Sequence, residues 1–358
     1  MIEKELIKRN LPSLFGGEEN VSVKRWEEVF KPKWRDLLLK EEYGYFPPII
    51  EPKIKAELNP ETFSGKATWE EVTFTFERNG KSHSVKTNLI FPKRKTNLPF
   101  FIFLNFRPSV PDKYLPIDKI IDNGFGIFSV CYKDVTDDND DFSSGLSALF
   151  ASETRKDSEF GKIVIWAYMT MRMMDYLQTR PEVDKDKIGV IGHSRLGKTA
   201  LVAGAYDERF SFVCANDSGC SGASLSRGRY EWSEKLTHVT KTFPFWFCRN
   251  YLKYADNEDK LPFDQHALLS LIAPRSVYVG GAIEDTWADN DNQFLCCYES
   301  SKVWKLYGKR GLVCSGGMPV ECDAFTSGEV GFFLRSGKHA LELTDWDEYI
   351  KAIKEKFN

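Results

Sequence analysis

Two patterns of hydrophobic and polar positions follow each other along the chain, and the change falls near residue 99. Over residues 69–92 apolar and polar positions alternate, and Asn79-Gly80 interrupts the alternation with a favoured hairpin turn. This part of the chain therefore predicts an antiparallel β-hairpin. Beyond residue 99 the apolar residues form short continuous runs, which are typical of strands buried on both faces. The runs cover residues 100–106, 125–132, 188–191, 212–215 and 276–279.

Segments with helical spacing of apolar residues alternate with these runs. They cover residues 117–123, 163–177, 292–306 and 346–357. Alternating strands and helices favour right-handed crossovers between parallel strands. We therefore predict an α/β fold with a mostly parallel, doubly wound sheet and an antiparallel N-terminal edge.

Apolar positions at helical spacing also occur nearer the N-terminus, over residues 21–42. They predict a helix that Pro32 splits in two, because proline lacks the N–H that a helix interior needs. We expect residues 1–60 to form a helical extension that packs on one α/β domain over residues 61–358.

The stretch from Lys187 to Gly204 combines a strand, a glycine-bearing turn and a helix, and its residues 192–199 read Gly-His-Ser-Arg-Leu-Gly-Lys-Thr. Ser194 falls at the corner. In an α/β-hydrolase this corner exposes the nucleophilic serine, and the following helix N-terminus supplies N–H groups. The second glycine, Gly197, comes three residues after Ser194 where the hydrolase pattern has two. Residues 192–199 also match the P-loop motif GxxxxGK[ST]. This stretch alone is therefore compatible with both a hydrolase and a P-loop phosphotransferase.

A serine nucleophile needs a base and an acid that orients the base. His339 lies in a loop before the last helix, where an α/β-hydrolase carries its base. Asp285 and Asp217 each follow an apolar run and are the two candidate acids, although aspartates at such places also cap turns and helices. His193 neighbours Ser194, but on a sharp turn its side chain is expected to point away from the serine Oγ.

Residues 134–141 read Asp-Val-Thr-Asp-Asp-Asn-Asp-Asp and follow a predicted strand. Carboxylates at this density are able to bind a cation. A solvated loop is the commoner use of such a run, and we expect one here.

Composition limits which classes of binding partner and which cellular compartment we expect. The 358 residues have a net charge of −3 without basic clusters, and no apolar run is long enough to cross a bilayer, so we expect neither a nucleic-acid nor a membrane partner. Eight cysteines without C-x-x-C spacing indicate buried, reduced thiols. Together with an N-terminus that lacks an apolar signal segment, they favour the cytoplasm; secretion through a signal peptide outside this sequence is the alternative.

Many motifs occur in one order from about residue 26 onward. They are Tyr43-Gly44 with Pro47, Leu104-Asn105-Phe106, residues 184–204, residues 216–223, Leu225-Ser226-Arg227, residues 243–247, Asp264-Gln265-His266, residues 272–275, residues 284–289 and residues 335–339. In these motifs the chain resembles the bacterial glucuronoyl esterases, carbohydrate esterase family fifteen, often described as acetylxylan-esterase-like. The resemblance implies an α/β-hydrolase fold, a three-layer sandwich, with a serine-dependent esterase activity on (4-O-methyl-)glucuronoyl esters. It also implies that no metal or cofactor is needed, and it favours the hydrolase over the phosphotransferase.

The resemblance assigns catalytic roles position by position. Ser194 matches the nucleophile and His339 the base. Asp285 matches the acid of bacterial members, whereas Asp217 stands where fungal members carry theirs. Arg195 matches an arginine that stabilises the oxyanion through its side chain and backbone N–H.

Three further positions match residues that hold the glucuronate ring: Lys198, Glu234 and Trp287. A tryptophan two residues after the candidate acid can stack on a sugar face. A solvent-facing lysine and a core tryptophan are the structural alternatives for Lys198 and Trp287.

Three alternatives stay open beside a glucuronoyl esterase. The same triad could serve an acetyl esterase acting on xylan or xylo-oligosaccharides. The chain could also be a catalytically silent carbohydrate-binding relative or, least favoured, a P-loop phosphotransferase. The expected partner is a small carbohydrate ester, and the sequence does not set the oligomeric state.

Overall fold

The computed structural model describes residues 2–93 and 95–357. Its strands are β1 (Lys53–Asn59), β2 (Ala67–Arg78), β3 (Lys81–Pro92), β4 (Leu98–Asn105), β5 (Gly126–Cys131), β6 (Val183–His193), β7 (Phe212–Asn216), β8 (Ser276–Ala282), β9 (Ala324–Phe325) and β10 (Val330–Arg335). Its α-helices are α1 (Ile2–Arg9), α2 (Val23–Arg25), α3 (Lys31–Leu38), α4 (Ile117–Asp122), α5 (Tyr132–Val135), α6 (Lys162–Leu177), α7 (Arg195–Tyr206), α8 (Leu236–Thr242), α9 (Gln265–Ser270), α10 (Asn290–Leu306) and α11 (Leu343–Phe357). The strands and helices predicted from the apolar pattern are all present.

The ten strands form one sheet in the order β1-β2-β3-β5-β4-β6-β7-β8-β10-β9. The six central strands, from β5 to β10 in this order, pair in parallel, whereas β1, β2, β3 and β9 pair antiparallel at the two edges. This confirms the predicted mostly parallel, doubly wound sheet with an antiparallel N-terminal edge. The hairpin of β2 and β3 turns at Asn79-Gly80, as predicted.

Helices cover both faces of the sheet. Successive side chains of a strand point to opposite faces, so alternate residues of one strand belong to different core clusters. In β4, Phe100, Ile102 and Leu104 join the core cluster that also contains the apolar residues of α6, α7, α9 and α10. Phe101 and Phe103 join the second cluster, with α4 and α11. Strand residues that are buried on both sides explain why the central strands appear in the sequence as continuous apolar runs.

The N-terminal segment differs from the prediction in two ways. Residues 23–43 are helical throughout: a π-helical turn (Trp26–Phe30) precedes α3, and a second one (Leu39–Tyr43) follows it. Pro32 lies in the first turn of α3, where a missing N–H is tolerated, so it does not split the helix. Residues 53–59, which we expected within the helical extension, form the edge strand β1. The boundary near residue 60 stays a prediction.

Within the described residues no helix is both long and apolar enough to span a bilayer. Six of the eight cysteines are buried, as the prediction of buried thiols required.

The carboxyl ends of the parallel strands meet at one edge of the sheet, which is where open α/β sheets bind their ligands. Ser194 follows β6, Asp217 follows β7, Asp285 lies three residues after β8, and His339 lies four residues after β10. The fold thus brings together residues that lie up to 145 positions apart in the sequence.

Candidate active site

Ser194 occupies a strained turn between β6 and α7. Its backbone has φ 57° and ψ −127°, a conformation that a non-glycine residue adopts only when its surroundings enforce it. Its N–H donates to the Asn216 carbonyl at 2.8 Å. Gly192 is required here, since a Cβ at that position would lie 2.1 Å from the Leu196 carbonyl oxygen. A Cβ on Gly197 would lie 3.1 Å from the Asn216 carbonyl oxygen, so a glycine three residues after the serine also serves this elbow.

The imidazole of His339 is oriented by Asp285. His339 Nδ1 lies 2.6 Å from Asp285 Oδ2, and the aspartate is buried while the histidine is about half exposed. With Nδ1 engaged, Nε2 is the nitrogen left to exchange a proton with a substrate or with Ser194. Among the described residues no hydrogen bond joins the Ser194 Oγ to this imidazole; such contacts often tighten only when substrate binds.

Arg335 shapes the loop that carries His339. Its guanidinium donates to the carbonyls of Ser336 (2.8 Å), Lys338 (3.0 Å) and Ala340, and to Asp345 Oδ2 at 2.8 Å. Five donors on a rigid plane suit this task, because they pin several points of one loop at once. Arg335 therefore acts on the base through the backbone around it.

Asp217, the second candidate acid, is buried and lies beside the His339–Asp285 pair. Its Oδ1 accepts from the Ala282 N–H at 3.0 Å, while its Oδ2 has no hydrogen-bond partner among the described residues. Burial, followed by the charges of Asp285 and Asp345, raises the pKa of Asp217 well above its usual value. The Arg335 guanidinium, 3.6 Å from Asp217 Oδ2, opposes that shift. Because Asp285 and not Asp217 lies within hydrogen-bond distance of His339 Nδ1, the geometry favours Asp285 as the acid that orients the imidazole.

One oxygen or nitrogen of each of Asp217, Asp285 and His339 lies within 4.8 Å of the others, a spacing that could also hold a metal ion. The His339–Asp285 hydrogen bond already uses one ligand atom of each partner, and the raised pKa of Asp217 disfavours its charged form. The cluster fits acid–base chemistry better than metal binding.

His193 is buried beside the base. Its Nδ1 lies 2.6 Å from Asn216 Oδ1, and its ring centroid lies 4.5 Å from that of His339. Burial, and then the neighbouring His339, lowers the pKa of His193 to about 3. His193 therefore stays neutral and packs behind the base.

A pocket of about 320 Å³ opens in front of Ser194. All eight residues singled out from the sequence line it: Ser194, Arg195, Lys198, Asp217, Glu234, Asp285, Trp287 and His339. The first N–H groups of α7 also have no partner inside the helix, as at every helix N-terminus, and they lie behind the nucleophile. The pocket thus combines the candidate nucleophile, the candidate base with an acid that orients it, and donors that could meet negative charge.

The lining of the pocket also includes a lysine, a glutamate and a half-exposed tryptophan. The buried Lys198 amine donates to the Ser218 carbonyl at 2.6 Å and lies 3.9 Å from Glu234 Oε2. Burial lowers the pKa of Lys198, and Glu234 opposes that shift. The Glu234 N–H donates to the Trp287 carbonyl at 2.9 Å, which ties the loop of the carboxylate to that of the half-exposed indole.

A family model described as "Glucuronyl esterase, fungi" matches residues 74–308. The chain is 39% identical over 238 residues to "Carbohydrate esterase MZ0003" from an unknown prokaryotic organism; the match covers 66% of this chain and 54% of that protein. It is 30% identical to the solved glucuronoyl esterase from Solibacter usitatus, with a TM-score of 0.90 over 98% of both chains. It is 29% identical to a promiscuous CE15 esterase from a marine bacterial metagenome, with a TM-score of 0.87 over 97% of both.

The chain belongs to the glucuronoyl esterase family. The resemblance deduced from the motifs is thereby confirmed, and so are the α/β-hydrolase fold and its three-layer arrangement. The chain spans only about half the length of the prokaryotic curated relative, so what it acts on is a matter for proposal. The individual roles of the eight pocket residues likewise stay predictions.

The P-loop interpretation finds no support in this member of the glucuronoyl esterase family. The Lys198 amine is bound to the Ser218 carbonyl, and the Thr199 hydroxyl donates to the Arg195 carbonyl at 3.0 Å within the helix. A phosphotransferase needs both groups on the phosphate and its Mg²⁺. Residues 192–199, which match the P-loop pattern, instead form the strand–turn–helix elbow that carries Ser194.

The acidic run 134–141 is mostly exposed loop over residues 137–141, as expected, but one of its carboxylates departs from that prediction. Asp138 in this run is largely buried and accepts three hydrogen bonds, from Arg195 Nη1, from Trp246 Nε1 at 2.7 Å and from the Tyr132 hydroxyl at 3.1 Å. Arg195 and Trp246 both line the pocket. A run of acids at the end of a buried strand was the one sequence signal for this residue. Trp246 and Arg335 lie in motifs of the family resemblance, but no spacing in the sequence indicated what they contact.

Proposed function

We propose that this chain is a carboxylic ester hydrolase that cleaves esters of glucuronic or 4-O-methylglucuronic acid by acyl transfer. The observation that carries the proposal is one pocket that joins the strained Ser194 to the His339–Asp285 pair, with a buried amine, a carboxylate and an indole on the facing wall. Neither part alone would separate an esterase from other proteins of this fold.

In the proposed reaction the Ser194 Oγ attacks the ester carbonyl and gives its proton to His339 Nε2. The Asp285 carboxylate stabilises the imidazolium through the Nδ1 hydrogen bond of 2.6 Å. Negative charge on the carbonyl oxygen is met by the N–H groups that begin α7 and by the Arg195 guanidinium. The alcohol leaves with the proton from His339, and a water molecule activated by the same histidine then cleaves the acyl-enzyme to release the acid.

The acid side of the ester would occupy the wall formed by Lys198, Glu234 and Trp287. The Lys198 amine can donate to sugar hydroxyls, and the Glu234 carboxylate can accept from them. Trp287 is half exposed, so one face of its indole is free to stack on a pyranose ring. The family membership supports a glucuronate ring as the occupant.

The test compares hydrolysis of benzyl glucuronate with that of a simple acetyl ester. Wild-type protein is expected to release glucuronate, and Ser194→Ala to lower kcat by about 10⁴-fold or more, because the nucleophile and its base act as one unit. Ser82→Ala, an exposed serine at the tip of the β2–β3 hairpin, is the matched control and should retain full activity. Glucuronate release that persists in Ser194→Ala would overturn the mechanism.

An acetyl esterase acting with the same triad is the second candidate, because one similar structure is described as a promiscuous CE15 esterase. Release of acetate without release of glucuronate would retain the triad and replace the substrate. A protein that binds glucuronate but turns over neither ester would favour the silent carbohydrate-binding alternative. Titration calorimetry with glucuronate on wild-type protein distinguishes that last outcome from a protein with no affinity for the sugar.

A further inference from the structure

Only one nitrogen of the Arg195 guanidinium is hydrogen-bonded among the described residues. Its Nη1 donates to Asp138 Oδ2, and its central carbon lies 4.6 Å from the centroid of the Trp246 ring and 5.1 Å from that of Phe243. Its Nε is buried and has no hydrogen-bond partner among the described residues. A buried donor of this kind is costly to leave unsatisfied, and such groups call for an explanation. Arg195 nevertheless lines the pocket beside Ser194 with about a quarter of its side chain exposed, so the guanidinium can meet negative charge that develops there.

Asp138 is built to hold that guanidinium. Its two oxygens accept three hydrogen bonds: Oδ1 accepts from the Trp246 indole at 2.7 Å, and Oδ2 from Arg195 and from the Tyr132 hydroxyl at 3.1 Å. The carboxylate therefore fixes the arginine and the aromatic ring on which the arginine lies. Both of those residues face the pocket, while Asp138 does not line it.

The loop around Asp138 is itself anchored on both sides by one buried amine. Lys162, at the start of α6, donates to Thr136 Oγ1 at 2.9 Å and to the Asp141 carbonyl at 2.6 Å. The Trp166 indole also donates to the Thr136 carbonyl, at 3.2 Å. The position of Asp138 is therefore set by the core and does not depend on the arginine that it binds.

We infer that Asp138 is a positioning residue for ester hydrolysis: it holds the Arg195 guanidinium and the Trp246 indole in the one arrangement that presents Arg195 to the developing oxyanion. The inference deepens the proposed function and rests on it. An unrestrained arginine side chain samples many rotamers, and a donor that must be ordered during the reaction stabilises a transition state less than one that is already in place. The negative charge of Asp138 also has the opposite effect, because it partly offsets the positive charge with which Arg195 stabilises the oxyanion. Since only Nη1 is paired with Asp138, positioning is expected to outweigh it.

The first test is steady-state kinetics of Asp138→Ala on the ester that wild-type protein hydrolyses. We expect kcat to fall about 10- to 100-fold with KM changed less than about threefold, since a single preorganised oxyanion donor is worth about 100-fold or more. Asp137→Ala, an exposed aspartate one residue earlier on the same loop, is the matched control and should behave as wild type. Equal kinetics of the two variants, or a rise in kcat for Asp138→Ala, would overturn the inference.

A double-mutant cycle separates positioning from a general loss of structure. If Asp138 acts through Arg195, Asp138→Ala should cost nothing further in an Arg195→Met background. By contrast, the fold losses in rate caused by Asp138→Ala and by Glu234→Gln should multiply in the double variant. No hydrogen bond or ion pair among the described residues joins Glu234 to Asp138 or Arg195. If Asp138→Ala does not fold, Asp138→Asn and Asp138→Glu enter the cycle in its place, and Asp138→Glu should regain part of the rate because it keeps the charge. A full additional loss in the Arg195→Met background contradicts the inference.

A fluorophosphonate probe makes the outcome independent of the glucuronate substrate. Ser194 Oγ forms the bond to phosphorus, the P–F bond breaks, fluoride leaves and His339 takes the serine proton; the adduct places a phosphoryl oxygen where the oxyanion forms. Mass spectrometry should show labelling of Ser194 slowed at least about tenfold by Asp138→Ala and unchanged by Asp137→Ala. Labelled wild-type protein without glucuronate hydrolysis overturns only the proposed function. Wild-type protein that neither labels nor hydrolyses an ester overturns both proposals.

Discussion

The active-site pocket has two halves that are built differently. Ser194, Asp285 and His339 lie within four residues of the ends of parallel strands, so the sheet sets the distances among them. The other half is carried mostly by loops: Glu234 precedes α8, and Trp246 ends a short 3₁₀ turn after it, whereas Lys198 lies in α7. Reaction chemistry tolerates little displacement, whereas substrate recognition must vary among relatives. We therefore expect the sheet to set the geometry of the proposed reaction and the loops to contribute most to recognition of the proposed ester.

The two carboxylates at the strand ends give the sharpest test of the first half. Asp285→Asn should lower kcat about a thousandfold, because an amide cannot stabilise the imidazolium and favours the wrong tautomer of His339. Asp217→Asn should cost less than about tenfold: the raised pKa favours the protonated form of Asp217, with which asparagine is nearly isosteric, and Asp217 makes no hydrogen bond to His339 among the described residues. Steady-state kinetics on benzyl glucuronate, with thermal unfolding as the control for folding, measures both.

Equal losses in the two variants would show that the pair shares its charge. A larger loss in Asp217→Asn would exchange the roles and place the working acid at the end of β7. Either result would contradict the assignment drawn from the 2.6 Å His339–Asp285 contact.

The loop-borne half should respond through substrate binding. Trp287→Ala is expected to raise KM about tenfold with a smaller change in kcat, since stacking on a sugar face acts in the ground state as well as the transition state. Trp232→Ala is the matched control. That indole is even more exposed, stacks on Tyr230 with ring centroids 4.8 Å apart and does not line the pocket. A fall in kcat with unchanged KM in Trp287→Ala would move Trp287 into the reaction half.

The same division explains what the sequence could predict. Ser194 was found because strand, glycine turn and helix are local patterns, and His339 because the order of elements in this fold places a base after the last strands. The choice between Asp285 and Asp217 could not be made, since it depends on how two strand ends approach one loop. Lys198, Glu234 and Trp287 came only from the family resemblance.

Asp138 marks the limit of sequence-based inference more clearly. It lies 57 residues before Arg195 and 108 before Trp246 in the chain, and no periodic pattern relates positions that far apart. Asp137, Asp140 and Asp141 beside it are exposed, so composition made the run resemble a solvated loop. Only the burial of one carboxylate in three dimensions separates it from them.

The backbone of Glu42 connects the N-terminal helical segment to the loop-borne half. The Cys248 N–H, at the end of the segment that carries Trp246, donates to the Glu42 carbonyl at 2.8 Å. The Glu42 side chain is fully buried, and the Gln265 amide donates to both its oxygens at 3.0 and 3.1 Å. Burial raises the pKa of Glu42 to about 8, although the hydrogen bond from Gln265 opposes the shift.

The smallest expected effect on activity, and a clear one on stability, comes from Glu42→Gln. Because the folded protein holds a proton on Glu42 up to about pH 8 while the unfolded chain releases it near pH 4.5, this group's stabilisation is fully present below pH 4.5 and is lost as the pH rises through 8. Glutamine has no proton to lose, so the thermal midpoint of wild type should fall relative to Glu42→Gln between pH 5 and 8, with kcat at pH 6 unchanged. The neighbouring Glu41→Gln is the matched control: burial raises the pKa of Glu41, but the hydrogen bonds from Lys253 and Tyr254 outweigh it and lower the pKa, so that variant should differ from wild type in pH dependence only in acid. Parallel midpoint curves for wild type and Glu42→Gln from pH 5 to 8 would mean that the folded protein holds no extra proton on Glu42 in this range, and would contradict the prediction.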